Sequence, residues 1–240
     1  MMDVSLAKAN IDNLTGLWRL MGSQRQSSGL HYSLSWPGRC WLEWDLREEY
    51  DALTIQACIP SGYLCPIWHA GETSAQLEQQ LVASGFEMGL QQLVMVLPLG
   101  GQEPGNKSDR LDLSLLEHAG DAEAWADLCG RAFGYSIDAS VIERLRQQPD
   151  VEVLWAKCGG VPVATAILYR TGAVVGVHQV GVPQEQQGKG IARELMQQLV
   201  ARAQATGAEY LCLQASAAGE PLYLSMGFQP QFTLRSYRRA

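Results

Sequence analysis

The sequence has no run of apolar residues near the roughly 18 that a membrane-spanning helix needs, and its first residues lack a basic stretch followed by an apolar one. Neither a membrane partner nor a secretory leader is therefore expected, and the chain reads as soluble and cytoplasmic. Six cysteines are present (Cys40, Cys58, Cys65, Cys129, Cys158 and Cys212), but they form no Cys-x-x-Cys pair and match no histidine spacing. Reduced, mostly buried thiols are expected rather than a disulfide framework, and no metal site. An excess of basic charge is missing too, since 18 Lys and Arg stand against 25 Asp and Glu for a net charge of −7. Nucleic-acid surfaces are normally basic, so a nucleic-acid partner is not expected.

What the sequence does have is most concentrated between residues 173 and 207. The run from Ala173 to Val182 is rich in β-branched residues and broken by glycines, which reads as a strand. Ile191, Leu195, Leu199 and Ala203, with Met196 and Val200 beside them, recur at helical spacing and stop at Gly207. Between the two lies Pro183-Gln-Glu-Gln-Gln-Gly-Lys-Gly190. A strand thus reaches a helix N-terminus through glycines, where unpartnered N–H groups and the helix dipole favour a phosphate. Lys189 adds a positive charge.

Three phosphate loops have this outline. A Walker loop needs four residues between its glycine and the Gly-Lys pair, whereas six separate Gly181 from Gly188 here, and Gly190 follows the lysine where Ser or Thr belongs. A Rossmann fingerprint needs a small residue where Arg193 stands. The hexapeptide Gln187-Gly188-Lys189-Gly190-Ile191-Ala192 resembles the acyl-CoA loop of the GNAT superfamily of N-acetyltransferases, written Q/R-x-x-G-x-G/A, at every fixed position. A second motif follows in register: the strand-like Glu209 to Gln214, then Pro221-Leu-Tyr-Leu-Ser-Met-Gly-Phe228, which resembles the family's "LYxxxGF" ending. One position departs from the family, Ser216 standing where many members have asparagine.

The rest of the chain fits around these motifs. A helix is expected over 3–21, then strands near His31 to Ser35, Cys40 to Asp45, Leu53 to Cys58 and Gly62 to His69, a helix from Ser74 to Ala83, and a strand from Leu90 to Leu97. The clustered Trp36, Trp41 and Trp44 read as core or interface residues rather than as a ligand box. Leu81 to Phe86 can be laid over Tyr223 to Phe228, so the first hundred residues resemble a degenerate copy of the same fold without loop or tyrosine. Residues 99 to 109 are almost without apolar content and rich in Gly, Pro and polar residues. The expected division is a degenerate GNAT-like domain over 1–99, a linker over 100–110 and a catalytic domain over 111–240. In the last, helices are expected at Asp121 to Phe133, with Asp121 as cap, and at Ala139 to Gln148, and strands at Leu111 to Leu116, Val151 to Cys158, Val161 to Tyr169 and Gln231 to Arg238. The fold class that the resemblance implies is α/β: the GNAT fold, a mixed and mostly antiparallel sheet flanked by helices, preceded by a smaller α/β domain.

The resemblance implies acetyl-CoA as co-substrate and a primary amine, small molecule or peptide, as the acceptor that attacks the thioester directly. The diphosphate would lie over Gln187, Gly188, Lys189, Gly190, Ile191, Ala192 and Arg193, and the pantetheine along Val180, Gly181 and Val182, with Gly181 at the bulge the family carries in this strand. Tyr223 matches the family's general acid, a phenol near pKa 10 returning a proton to the leaving thiolate. His178 lies where some members have a base, although a core histidine or a water chain serves equally well as a reading. The acceptor loop would be Arg131 to Asp138, with Phe133 and Tyr135 offering aromatic surface. A homodimer is a candidate assembly, as the family pairs in varied ways. The rival readings are an acyl-CoA-binding module without turnover and a protein-interaction module; exposed tryptophans between residues 36 and 68 would favour the second.

Overall fold

The computed structural model describes residues 4–49, 52–68, 72–100, 110–118 and 120–240. In chain order the elements are α1 (Val4–Gly22), β1 (Ser23–Arg25), β2 (His31–Ser33), β3 (Cys40–Trp41), α2 (Ala52–Cys58), β4 (Cys65–Ile67), α3 (Glu72–Ala83) and β5 (Phe86–Pro98). There follow β6 (Asp112–Leu115), α4 (Asp121–Phe133), α5 (Ala139–Arg146), β7 (Val151–Cys158), β8 (Val161–Thr171) and β9 (Val174–Gly181). The chain closes with α6 (Ile191–Ala205), β10 (Tyr210–Ala215), α7 (Glu220–Ser225) and β11 (Gln229–Arg239). The expected linker lies almost wholly in 101–109, outside the described residues. Among the described residues no helix is long and apolar enough to cross a membrane.

Two compact units result: residues 1–95 with 214–240, and residues 96–213. In the first, α1 buries Ala7, Ile11, Leu14, Leu17, Trp18 and Met21 along one stripe, the apolar face its spacing dictates. β1, β2 and β3 form a small antiparallel sheet. The chain's last strand, β11, pairs antiparallel with β4, setting Arg235 against Ile67 and Tyr237 against Cys65, and β5 flanks its other side. Asn10 ties these pieces together. Its buried amide donates to the Met95 carbonyl at 3.0 Å and the Gln231 side chain at 2.8 Å, and accepts from Gln214 at 2.8 Å, so its desolvation is offset by bonds on both ends.

The run Leu53 to Cys58, expected as a strand, is the helix α2. Ile55 is buried while Leu53 is 77% exposed, opposite faces that a helix gives to residues two apart, whereas strand alternation would have put Leu53 and Ile55 on one face. Short apolar runs do not carry enough periodicity to separate the two. Trp41, Trp44 and Trp68 are buried, with Trp18 edge-on to Trp41 at 5.2 Å between ring centroids, so these three are core, whereas Trp36 is half-buried. The two Gly-Phe pairs behave alike. Gly85 and Gly227 both adopt a left-handed backbone, and each is followed by a buried phenylalanine, Phe86 as the first residue of β5 and Phe228 just before β11.

The second unit holds a mixed, mostly antiparallel sheet in the order β6-β7-β8-β9-β10. β6 to β9 run antiparallel in succession, whereas β9 and β10 are parallel, Val174 facing Tyr210, and are joined by α6 as a parallel pair requires. Gly159 and Gly160, both at positive φ, make the tight turn between β7 and β8. α4 buries Trp125, whose indole N–H donates to the Leu154 carbonyl at 2.9 Å. Asp121 does not cap its own helix; Gly120 holds the cap position, and the Asp121 carboxylate instead accepts from the N–H groups of Glu117 and His118 in the turn before it. α6 buries Ile191, Leu195, Met196, Leu199, Val200 and Ala203, the larger of these each contributing about 1.5–3 kcal/mol.

Candidate active site

The site begins where β9 leaves its register with β8. Ile167 faces His178, but the next matched pair is Thr165 with Gly181, so β9 spends one more residue than its partner over this step and bulges. The left-handed residue is Gln179, at φ +50°, and not Gly181. Its carbonyl accepts from the buried Thr165 hydroxyl at 3.0 Å. Its side-chain oxygen accepts from the Tyr135 hydroxyl at 3.3 Å and from the Cys129 thiol at 3.5 Å. Gly181 is small for a different reason. A Cβ there would stand 2.8 Å from the Thr165 hydroxyl, 3.1 Å from the Ala132 methyl and 3.2 Å from the Phe133 ring, so glycine lets α4 approach the strand.

Beyond the bulge the Gln187 amide donates to the Val182 carbonyl at 2.9 Å, folding the loop back on the strand end. Gly188 and Gly190 have φ of +73° and +77°, and Gly190 is the N-cap of α6 with no side-chain cap. The helix therefore opens with a positive end that no side chain of its own cap covers. The Lys189 ammonium donates to the Glu185 carbonyl at 2.8 Å and the Gln186 side chain at 3.0 Å, so it braces the loop from within. Arg110 supplies the clamp. It donates to the Lys189 carbonyl at 2.8 Å and meets the Glu194 carboxylate at 2.8 and 2.7 Å, and Glu194 also accepts from the Leu111 N–H at 2.9 Å. Glu194 is buried in the first turn of α6, where its charge suits the dipole.

Above β9 the loop between α4 and α5 presents Phe133 and Tyr135, both exposed and stacked at 5.6 Å between centroids. Arg131 bonds to Asp127 at 3.1 Å and to Glu185, linking α4 to the turn before the glycines. Asp138 caps α5, accepting from the Ser140 N–H at 3.0 Å. A cavity of about 520 Å³ opens beside this loop, lined by Glu123, Asp127, Arg131, Tyr135 and Ser136 among others.

Residues 149–230 match the family described as "Acetyltransferase (GNAT) domain". This stretch belongs to the GNAT superfamily. The match runs from β7 across the bulge, the two glycines and α7. Among solved structures, a GCN5-related N-acetyltransferase from Kribbella flavida is 20% identical with a TM-score of 0.65, covering 99% of this chain and 95% of its own. Another, from Sphaerobacter thermophilus, is 16% identical with a TM-score of 0.60 and covers 90% of this chain and 74% of its own. Likenesses at these identities establish the GNAT fold, and the family match establishes acyl transfer as the general chemistry. No curated protein matches the chain.

Within the GNAT domain, then, Val180, Gly181 and Val182 stand at the bulge and Gln187 to Arg193 form the loop and helix start. His178 is buried on β9, and loss of water pushes its imidazole down to about 4. Tyr223 belongs to the other unit. It is half-buried on α7, its ring edge-to-face with Phe228 at 5.6 Å, and burial pushes its phenol up to about 12. Gly219 makes room for that ring, since a Cβ there would lie 2.9 Å from it. Ser216, where many GNAT members have asparagine, accepts from the Gly219 N–H at 3.3 Å. Four residues of the site escaped the sequence reading: Arg110, Thr165, Gln179 and Glu194. None belongs to a motif; the β8–β9 pairing reveals Thr165 and Gln179, and a long-range ion pair reveals Arg110 and Glu194. Among the described residues no three His, Cys, Asp or Glu side chains group as metal ligands.

Proposed function

We propose that this chain is an N-acetyltransferase that moves an acetyl group from acetyl-CoA to a primary amine by direct attack. The observation that carries the reading is the run from a bulged strand through two left-handed glycines into a helix whose cap has no side chain. The CoA diphosphate would sit over the N–H groups of Gly188 to Arg193, with Gln187 holding the loop and Arg110 beside it. Its pantetheine would run along Val180, Gly181 and Val182, at the step where the bulge leaves Val180 without a partner on β8. The amine of the acceptor, held against Phe133 and Tyr135, attacks the thioester carbon. The carbon–sulfur bond breaks, and Tyr223 protonates the departing thiolate.

Two pKa values shape the proton steps. Tyr223 stays protonated at neutral pH, and although about 12 lies well above a thiol, the dry surroundings that raise the phenol also raise a thiolate. His178, near 4, is a poor sink for the proton of a primary ammonium near 10, a transfer uphill by about 8 kcal/mol. The imidazole is therefore assigned as a neutral hydrogen-bonding group on a water chain that carries this proton to solvent. The weak base also favours one rival, an acyl-CoA-binding module without turnover. In the same reading residues 1–99 are a degenerate GNAT-like domain, 100–110 a linker and 111–240 the catalytic domain, in a cytoplasmic protein without nucleic-acid or membrane partners, with a homodimer as a candidate assembly.

A thermal-shift series with acetyl-CoA, CoA, NAD and ATP tests this, since a ligand that binds only the native state raises its melting temperature. Stabilisation by the two CoA species alone is expected. No shift with either ends the acetyl-CoA reading, and a shift without product across a panel of amines selects the module without turnover.

A further inference from the structure

We propose that Gln179 couples the acceptor loop to the acyl-donor strand, so that the hydroxyl of Tyr135 tunes acetyl-CoA affinity through the Gln179 side chain. The proposal rests on the reading of the β9–α6 loop as an acyl-CoA site.

The backbone supplies the first argument. At thirteen positions of positive φ among the described residues the chain uses glycine, and Gln179 is the only other residue found there. A left-handed glutamine is strained where glycine would not be, and such strain persists where a side chain has a task. The side chain supplies the second. Its one oxygen gathers the Tyr135 hydroxyl and the Cys129 thiol, both from the α4 side, while its own carbonyl is fixed by Thr165 on β8. Cys129 remains a thiol and hence a donor, because burial pushes it up to about 12.

The third argument is the second point of contact. Phe133, stacked on Tyr135, reaches 3.2 Å from the Cβ position of Gly181, so the loop touches β9 on both sides of Val180. The strand pairing leaves Gln179 and Val180 without partners on β8. The loop that would grip the amine therefore also sets the orientation of the backbone that would hold the pantetheine. A ligand that takes the Tyr135 hydroxyl releases the Gln179 amide and loosens the bulge. Gln179 is a positioning residue in this scheme.

The test needs no acceptor. Acetyl-CoA and, as a probe of the phosphate loop alone, ADP are titrated by calorimetry into the wild type, Tyr135→Phe, Gln179→Gly and the double variant. Tyr135→Phe should weaken acetyl-CoA about two- to tenfold, the range of one hydrogen bond, and leave ADP unchanged. Gln179→Gly should weaken it similarly without lowering the melting temperature, because glycine relieves the strain, and the double variant should be no weaker than Gln179→Gly. Gln179→Asn, which tolerates the same backbone but falls one methylene short of Tyr135, provides the comparison if glycine does not fold. Unchanged acetyl-CoA affinity in Tyr135→Phe, losses that add, or an equal loss for ADP overturns the coupling alone. A wild type that binds neither nucleotide overturns the acyl-CoA reading and the coupling with it.

Discussion

Replacing His178 by glutamine should change how the stability of the chain responds to acid. In the folded protein the imidazole titrates near 4, whereas in the unfolded chain it takes a proton near its ordinary 6.5. Between these values the unfolded chain binds more protons, so stability that is present above pH 6.5 is lost as the pH falls towards 4. The gap from 6.5 to about 4 corresponds to about 3 kcal/mol for this one buried group. Glutamine fills a similar volume and does not titrate, so the variant should lack that loss. His31, also held below its ordinary value by burial, acts in the same direction, but it is present in both proteins and cancels in the difference. The direct assay is a proton NMR titration of the four histidine rings, with the variant identifying the His178 signal. That signal should stay constant from pH 8 to about 5. Urea unfolding of both proteins at pH 7 and pH 4.5 should show the wild type losing about 2–3 kcal/mol more than the variant. A His178 signal with a midpoint near 6.5, or parallel losses in the two proteins, would refute the reasoning and restore His178 as a candidate base.

Three further outcomes are expected. Gly188→Val meets no atom within 4 Å but must hold φ at +73°, so it should cost about 1–2 kcal/mol of stability and lower acetyl-CoA affinity at least tenfold; unchanged affinity by calorimetry sinks the loop assignment. Tyr223→Phe should lower kcat by about 10²–10⁴ while acetyl-CoA affinity moves less than threefold, and an unaltered kcat with an accepted amine removes the acid role. Gly181→Ala places its methyl 2.8 Å from the Thr165 hydroxyl, so a loss of about 1–3 kcal/mol is expected in denaturant unfolding, and an unaltered midpoint would show that α4 yields easily.

Elements with strong local signatures were legible in the sequence. α4 and β7 fall at the expected residues because an amphipathic period and a β-rich run ending in Gly-Gly need no distant partner to be read. The loop was legible because glycine at 188 and 190 answers a backbone demand that no other residue meets cheaply. Gln179 was not, since the chain puts a glutamine where composition would look for glycine, and attention falls on Gly181 two residues on. Nor were Arg110 and Glu194, whose pairing joins residues 84 apart. α2 misled because so short an apolar run satisfies both periods. The placement of β11 was hidden most deeply. Its alternation announces a strand, but nothing in Gln229–Arg239 says that its partner is Cys65–Ile67.

That last pairing bears on how the chain acquires its structure during synthesis. The unit formed by 1–95 and 214–240 cannot close β11 onto β4 and β5 until the whole of 96–213 has been translated. At ordinary elongation speeds those ~120 residues take on the order of ten seconds. For that interval β4 and β5 have edges with no β11 between them, and Asn10 lacks Gln231 and Gln214. Unpaired strand edges are where nascent chains aggregate. A ribosome-stalled chain ending before residue 229 should therefore be protease-sensitive in its first hundred residues while its middle segment is already protected, a vectorial order of folding that runs against the order of the sequence.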